Sequence, residues 1–328
     1  MVITACRGAD RGLRPADVQR DLRGIADLLA EAFVGELDEA GRQILREMRF
    51  WARLGWLLRV LEWFLPPGEA FAPGYVWVED GRIVGYTMVR RLRPGSKDWL
   101  IANVAVAEGF RGRGIGRALV SACLEYARAF GARRAILQVR ADNMPALQLY
   151  RSLGFQEMGW IQLWRREAEG RPERLGAPAL EIPGCRVRPA WAAELSPLMA
   201  HVAAWENPAM RLFEPIDLLP TAPVLGSLGP SGRGIWVLEA EDGRTLGLAA
   251  WTRRESCWTL RPFVDASTTP QQAQRLVTAA LQKAPPGVPL GALTGGEPAL
   301  SAAMLAVGFR LARTLIGMGC DLKAAPLR

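Results

Sequence analysis

Short apolar runs alternate with amphipathic stretches along the chain, and the period of each predicts an element. A helix is predicted from about Asp17 to Phe33. Trp77–Gly85 reads as strand, Asp80-Gly81 hairpin turn and strand. The apolar run Val104–Ala107 breaks into an Arg/Gly-rich turn that opens a second helix, roughly Gly114 to Phe130. There Leu119, Cys123 and Tyr126/Ala127 share one face. Arg134–Arg140 is a strand, and Asn143, Pro145 and Gly154 have the chemistry of a helix cap, a first turn and a C-terminal stop. Arg42–Leu65 interleaves Trp and Leu with Arg and reads as one long or two short amphipathic helices ended by Pro66-Pro67.

The second half repeats this pattern. Val187-Arg188-Pro189-Ala190 echoes Leu13-Arg14-Pro15-Ala16. Trp236–Gly247, with its own Asp242-Gly243, echoes the first hairpin, and Pro298–Phe309 echoes the Tyr150 helix with Gly308-Phe309 over Gly154-Phe155. A Pro/Gly-rich stretch at 171–184 separates the copies, so two domains are expected, 1–170 and 185–328.

The turn after Val106 carries the first chemistry. Gly112, Gly114 and Gly116 bring backbone close to a ligand. A helix start with free N–H groups attracts phosphate, and Arg111, Arg113 and Arg117 add positive charge. The dinucleotide fingerprint fails because Arg117 stands where its third glycine belongs, and the Gly-Lys-Ser/Thr ending of a P-loop is absent. Instead Arg111-x-x-Gly114-x-Gly116, directly after a strand, resembles the coenzyme A pyrophosphate loop of the GNAT superfamily of N-acetyltransferases. Asn143-x-x-Ala146-x-x-Leu149-Tyr150-x-x-x-Gly154-Phe155 resembles that family's other signature. The two segments stand in the family's order and separation.

The resemblance implies an α/β fold of two tandem GNAT-like domains, each a mixed, mostly antiparallel sheet flanked by helices. It implies acetyl-CoA as co-substrate and direct transfer of its acetyl group to a primary amine of a small molecule or peptide in a ternary complex. Pantetheine would lie along Val104, Ala105 and Val106. The pyrophosphate would lie on Arg111, Gly112, Arg113, Gly114, Ile115, Gly116 and Arg117, and Asn143 would contact the cofactor or only cap its helix. Tyr150 would be the general acid, since a phenol stays protonated at pH 7 and can donate to a departing thiolate. Many members also carry a Glu near the start of the cofactor-pairing strand. Here that stretch is Asp98-Trp99-Leu100-Ile101-Ala102-Asn103, so the general base stays open. A coenzyme A-binding regulator without turnover is the alternative; the retained Tyr150 speaks against it.

The second copy lacks these groups. Aligning Gly308 on Gly154 places Met304 under Tyr150 and Glu297 under Asn143, and Leu260–Pro270 replaces the phosphate loop with no Arg-x-x-Gly-x-Gly. This domain is expected to be non-catalytic. His201, Trp205 and Glu206 lie on a predicted helix whose simplest reading is a solvated or half-buried face.

Composition narrows the partners. The chain has 328 residues and a formal net charge of +8, almost all its basic residues are Arg, and the excess is spread through both halves. No Lys/Arg block marks a nucleic-acid surface. Five scattered Cys without CxxC spacing and one His argue against zinc, Cys/His catalysis and a disulfide scaffold. No signal peptide is seen, so a cytoplasmic location is the expectation. The Trp-rich segment is too charged to span a membrane. An aromatic lid or interdomain contact is favoured over a membrane surface, and a homodimer is an open option.

Overall fold

The computed structural model describes residues 11–35, 39–52, 74–167, 184–213, 234–254, 257–282, 284 and 288–322. The Trp-rich stretch beyond residue 52 and the 171–183 part of the expected linker lie outside them. The chain divides into two compact units, and the division is not sequential. Unit 1 comprises Met1–Gln138, Met144–Gln156 and Met318–Arg328; unit 2 comprises Val139–Asn143 and Glu157–Gly317. The composition break at 171–184 therefore does not mark how the chain packs. The segment 157–167 belongs to unit 2, and the chain's end belongs to unit 1.

Unit 1 begins with β1 (Gly12–Pro15) and α1 (Val18–Ala32), followed by α2 (Glu39–Trp51). The Asp17 side chain caps α1 by accepting from Gln19 N–H at 2.9 Å. Buried Asp21 accepts both guanidinium arms of Arg14, at 2.5 and 2.7 Å. β2 (Gly74–Glu79) and β3 (Arg82–Arg91) form the expected hairpin, with Asp80 and Gly81 both at positive φ (49° and 75°), as a two-residue turn of this hand requires. Next come β4 (Asp98–Val106), α3 (Ile115–Ala129), β5 (Arg134–Arg140) and α4 (Met144–Ser152). Strands β1 to β5 lie side by side in sequence order. β1–β4 pair antiparallel, whereas β4 and β5 run parallel because α3 crosses between them. The far side of β5 is covered from the end of the chain, where Leu322 N–H donates to the Arg133 carbonyl at 2.9 Å. The core joins Ile25, Leu28 and Leu29 of α1 and Leu45 of α2 to Val76, Val84, Tyr86, Ala105, Ile115 and Leu119.

Unit 2 runs through the same succession: β6 (Gln156–Arg166, whose first residue belongs to unit 1), β7 (Cys185–Pro189), α5 (Leu195–Trp205), α6 (Pro208–Phe213), β8 (Ile235–Ala240), β9 (Thr245–Arg254), β10 (Cys257–Val264), α7 (Pro270–Leu281), β11 (Leu290–Thr294), α8 (Pro298–Ala306) and β12 (Arg310–Asp321). Among the described residues the helices and strands from β7 to β12 follow the same order as those from β1 to β6, as the sequence echoes predict. β10 and β11 are again parallel, and β6 pairs antiparallel with β11 from Gln162↔Thr294 to Arg166↔Leu290. Arg188 repeats the role of Arg14, reaching Glu194 with both arms at 2.8 Å and also Glu239. The unit's main core includes Trp164, Leu238, Trp251, Leu260, Leu276, Leu300, Met304 and Phe309.

Candidate functional site

In unit 1 the strands part where the chemistry is expected. β4 pairs β5 at Asp98↔Arg134, Trp99↔Ala135 and Leu100↔Ile136, and the pairing goes no further. Past Leu100 the β5-facing edge of β4 is open. On its other edge the register to β3 shifts: Met88 faces Ala102 and Tyr86 faces Ala105, so Asn103 and Val104 together oppose Thr87. This is a β-bulge, with Asn103 in the left-handed region at φ 55°. Thr87 is fully buried behind it and its hydroxyl donates to the Ala102 carbonyl at 3.4 Å.

The strand leads through a short 3-10 turn (Glu108–Phe110) into the glycine loop. Gly112 and Gly114 sit at φ 77° and 80°, and among the described residues no heavy atom beyond the chain neighbours lies within 4 Å of a Cβ built on Gly109, Gly112 or Gly114. Gly114 is the N-cap of α3 and supplies no side-chain hydrogen bond, so the N–H groups opening the helix carry no side-chain cap. That is a backbone cradle suited to an anion. The three arginines are more structural than their charge suggests. Arg111 Nε donates to the Val106 carbonyl at 3.2 Å, and Arg113 donates to the Gly109 carbonyl at 3.1 Å, bracing the loop. Arg117 donates to Ser152 Oγ at 2.6 Å, tying α3 to α4. A Cβ on Gly116 would stand 3.3 Å from Leu149 Cδ2, so a bare backbone lets the two helices approach.

Tyr150 follows Leu149 on α4. It is 5% exposed, its ring lies edge-on to Phe155 at 5.9 Å, and burial pushes its phenol up to about 12. Gly154, at φ 86°, ends the helix so that Phe155 N–H returns to the Tyr150 carbonyl at 3.0 Å. Asn143 immediately precedes α4, belongs by packing to unit 2, and its N–H donates to the Arg140 carbonyl at 3.1 Å. Asp98 stands at the closed end of the strand pair, held by Arg134 at 2.8 and 3.1 Å. The bulge at Asn103 escaped the sequence reading. Its one signal was a lone polar residue inside the apolar run Ile101–Val106.

The matching places in unit 2 are built differently. β10 pairs β9 without interruption from Cys257↔Arg254 to Val264↔Gly247, with no bulge. At the start of α7, Thr269 Oγ1 accepts from Gln272 N–H, the Gln272 side chain accepts from Thr269 N–H, and Pro270 has no N–H to offer. Met304 is buried in the core. Of the α5 residues, His201 is exposed and stacks on Trp205 at 5.2 Å, whereas Glu206 is buried beside Arg261 at 3.1 Å. The expected solvated or half-buried face therefore fits His201 and Trp205 but not Glu206. Among the described residues no group of His, Cys, Asp and Glu could hold a metal, and no helix is long and apolar enough to cross a membrane.

The family model of the acetyltransferase (GNAT) family matches residues 25–155. The chain is 42% identical over 82 residues to a mycothiol acetyltransferase of Corynebacterium glutamicum, covering 25% of this chain and 27% of that protein. It is 42% identical over 80 residues to the N-alpha-acetyltransferase RimI of Mycobacterium tuberculosis, covering 24% and 49%. The chain thus spans about half or less of the length of these relatives. Over 94% of this chain and 96% of the other, the fold is similar to that of a GCN5-related N-acetyltransferase from Sphaerobacter thermophilus, with 16% identity and a TM-score of 0.53.

Proposed function

Because the family model of the acetyltransferase (GNAT) family matches residues 25–155, we propose that this protein is an acetyl-CoA-dependent N-acetyltransferase working through unit 1. The acetyl group would pass directly to a primary amine of a small molecule or peptide. One observation carries the reading: an uncapped helix start behind an open glycine loop lies one strand-end from a parted strand pair and is tied to the helix bearing Tyr150.

Acetyl-CoA, when bound, supplies an activated thioester. The loop N–H groups from Gly112 to Arg117 would hold the pyrophosphate, and the open edge of β4 from Ile101 to Val106 would hold pantetheine. Its N–H groups offer preorganised donors to the thioester oxygen. Tyr150 keeps its proton at neutral pH because burial disfavours the phenolate, and it gives that proton to the departing sulfur. Unit 2 is the non-catalytic partner. Its α7 start gives the Gln272 N–H to Thr269 Oγ1 and has no N–H to offer at Pro270, its β10 has no bulge, and Met304 stands in Tyr150's place.

The test is release of free thiol from acetyl-CoA by the full chain against primary alkylamines, an amino sugar and hexapeptides with free α-amines. Amine-dependent thiol release is expected. Tight coenzyme A binding with no turnover on any of them would overturn the enzyme reading.

A further inference from the structure

Among the described residues only two that are not glycine have positive φ, Asp80 and Asn103. Asp80 sits in a hairpin turn that demands it. Asn103 sits inside a strand, where the left-handed region is unfavourable even for Asn. The bulge turns Asn103 out between Ile101 and Ala105, which are 1% and 3% exposed, so that it alone of the three is exposed. It lies three residues past the last β4–β5 pair, on the parted stretch of strand. Its carboxamide is oriented: Nδ2 donates to Met88 Sδ at 3.2 Å, which turns Oδ1 away as an accessible acceptor.

We propose that Asn103 is the acceptor-binding residue of this site, its carboxamide oxygen accepting an N–H of the incoming primary amine. The inference rests on the acetyltransferase reading and gives unit 1 the polar contact that the missing strand carboxylate leaves unassigned. A neutral oxygen that takes one N–H leaves the nitrogen lone pair free to attack. It stabilises an ammonium less than a carboxylate would, so the amine is held in its reactive neutral form. The N–C bond forms as the C–S bond breaks, and Tyr150 protonates the sulfur. The proton shed by nitrogen leaves to solvent, from which the phenolate recovers one.

Substitution separates the amide from the backbone it occupies. Asn103→Gly keeps the left-handed φ without strain and removes only the carboxamide, whereas Asn103→Asp keeps an acceptor oxygen. With the best acceptor of the amine panel, Asn103→Gly should raise the amine KM about tenfold, the size of one hydrogen bond, and leave the acetyl-CoA KM unchanged. Asn103→Asp should hold the amine KM near that of the wild type. An unchanged amine KM in Asn103→Gly would overturn the proposal, leaving Asn103 as a residue that merely tolerates the bulge. So would a parallel rise in both KM values, which would mean that the bulge shapes the cofactor strand alone. A wild-type protein that turns over no amine fails at the earlier step, before any variant is compared, and removes both readings.

Discussion

Tyr150 shows how one residue's setting decides its chemistry. Enclosed by α4 and Phe155, its phenol is pushed up to about 12 by lost solvation. An acid with a raised pKa keeps its proton over a wider range, so its ionisation should produce no alkaline fall in kcat up to pH 10. A pH–rate profile that falls with a pKa near 10 would place the acid elsewhere. Tyr150→Phe keeps the ring, so the melting temperature and coenzyme A affinity should barely move, while kcat drops on the order of 10²-fold. Gly114 has a different constraint. At φ 80°, any L side chain is strained and would stand in the open cradle. Gly114→Val should therefore abolish coenzyme A binding in a calorimetric titration, whereas Gly116→Ala, pressed at 3.3 Å on Leu149, should weaken it only in part.

At the scale of elements, each unit anchors its first strand with an arginine held by acids. In unit 2, Arg188 joins Glu194 and Glu239, and hydrogen bonds from that guanidinium hold both carboxyls below the usual carboxylate range. A lowered folded pKa means stability that is fully present above the unfolded value and is lost as pH falls through the folded one. Glu239→Gln should cost about 2 kcal/mol at pH 7, with the difference from wild type shrinking steadily below about pH 4.5. Urea unfolding of both proteins at pH 7 and pH 3.5 measures it; an equal loss at both would assign the effect to packing instead. The helix starts differ as sharply. Thr269 and Gln272 close α7 on itself, while Gly114 leaves α3 unclosed. Opposite caps on matching helices are the local reason for expecting one anion site per chain.

For the whole chain, titration with coenzyme A should accordingly give a stoichiometry of one. Two sites would mean that α7 or another part of unit 2 binds as well. The non-sequential packing makes a sharper prediction. Unit 1 includes Met318–Arg328, and Leu322 closes β5 through Arg133. A chain ending at Gly170 loses that covering segment and leaves an unpaired strand edge beside an apolar core. Aggregation or loss of coenzyme A binding is expected, and so is the same failure in a chain ending at Gly317, which keeps all of unit 2. A soluble, active fragment 1–170 would show that the strand is dispensable.

The sequence by itself determined what depends on local pattern and short motifs. The helix over 18–32, the Asp-Gly hairpins, the strand Arg134–Arg140, the glycine loop, Tyr150 and the repeat are all written in neighbouring residues, because caps, turns and periodicity act over a few positions. Tertiary structure decided what depends on partners distant in the chain. The bulge at Asn103 exists only as a mismatch of register against Thr87, and Arg117 serves Ser152 only once α3 and α4 pack. Glu206 reads as part of a solvated or half-buried helix face until Arg261 is folded beside it. The last residues of the final strand, from Met318 on, go to unit 1 although the strand closes the second repeat, since hydrogen bonding fills an open sheet edge with whatever strand the topology brings there. No local signal records that choice.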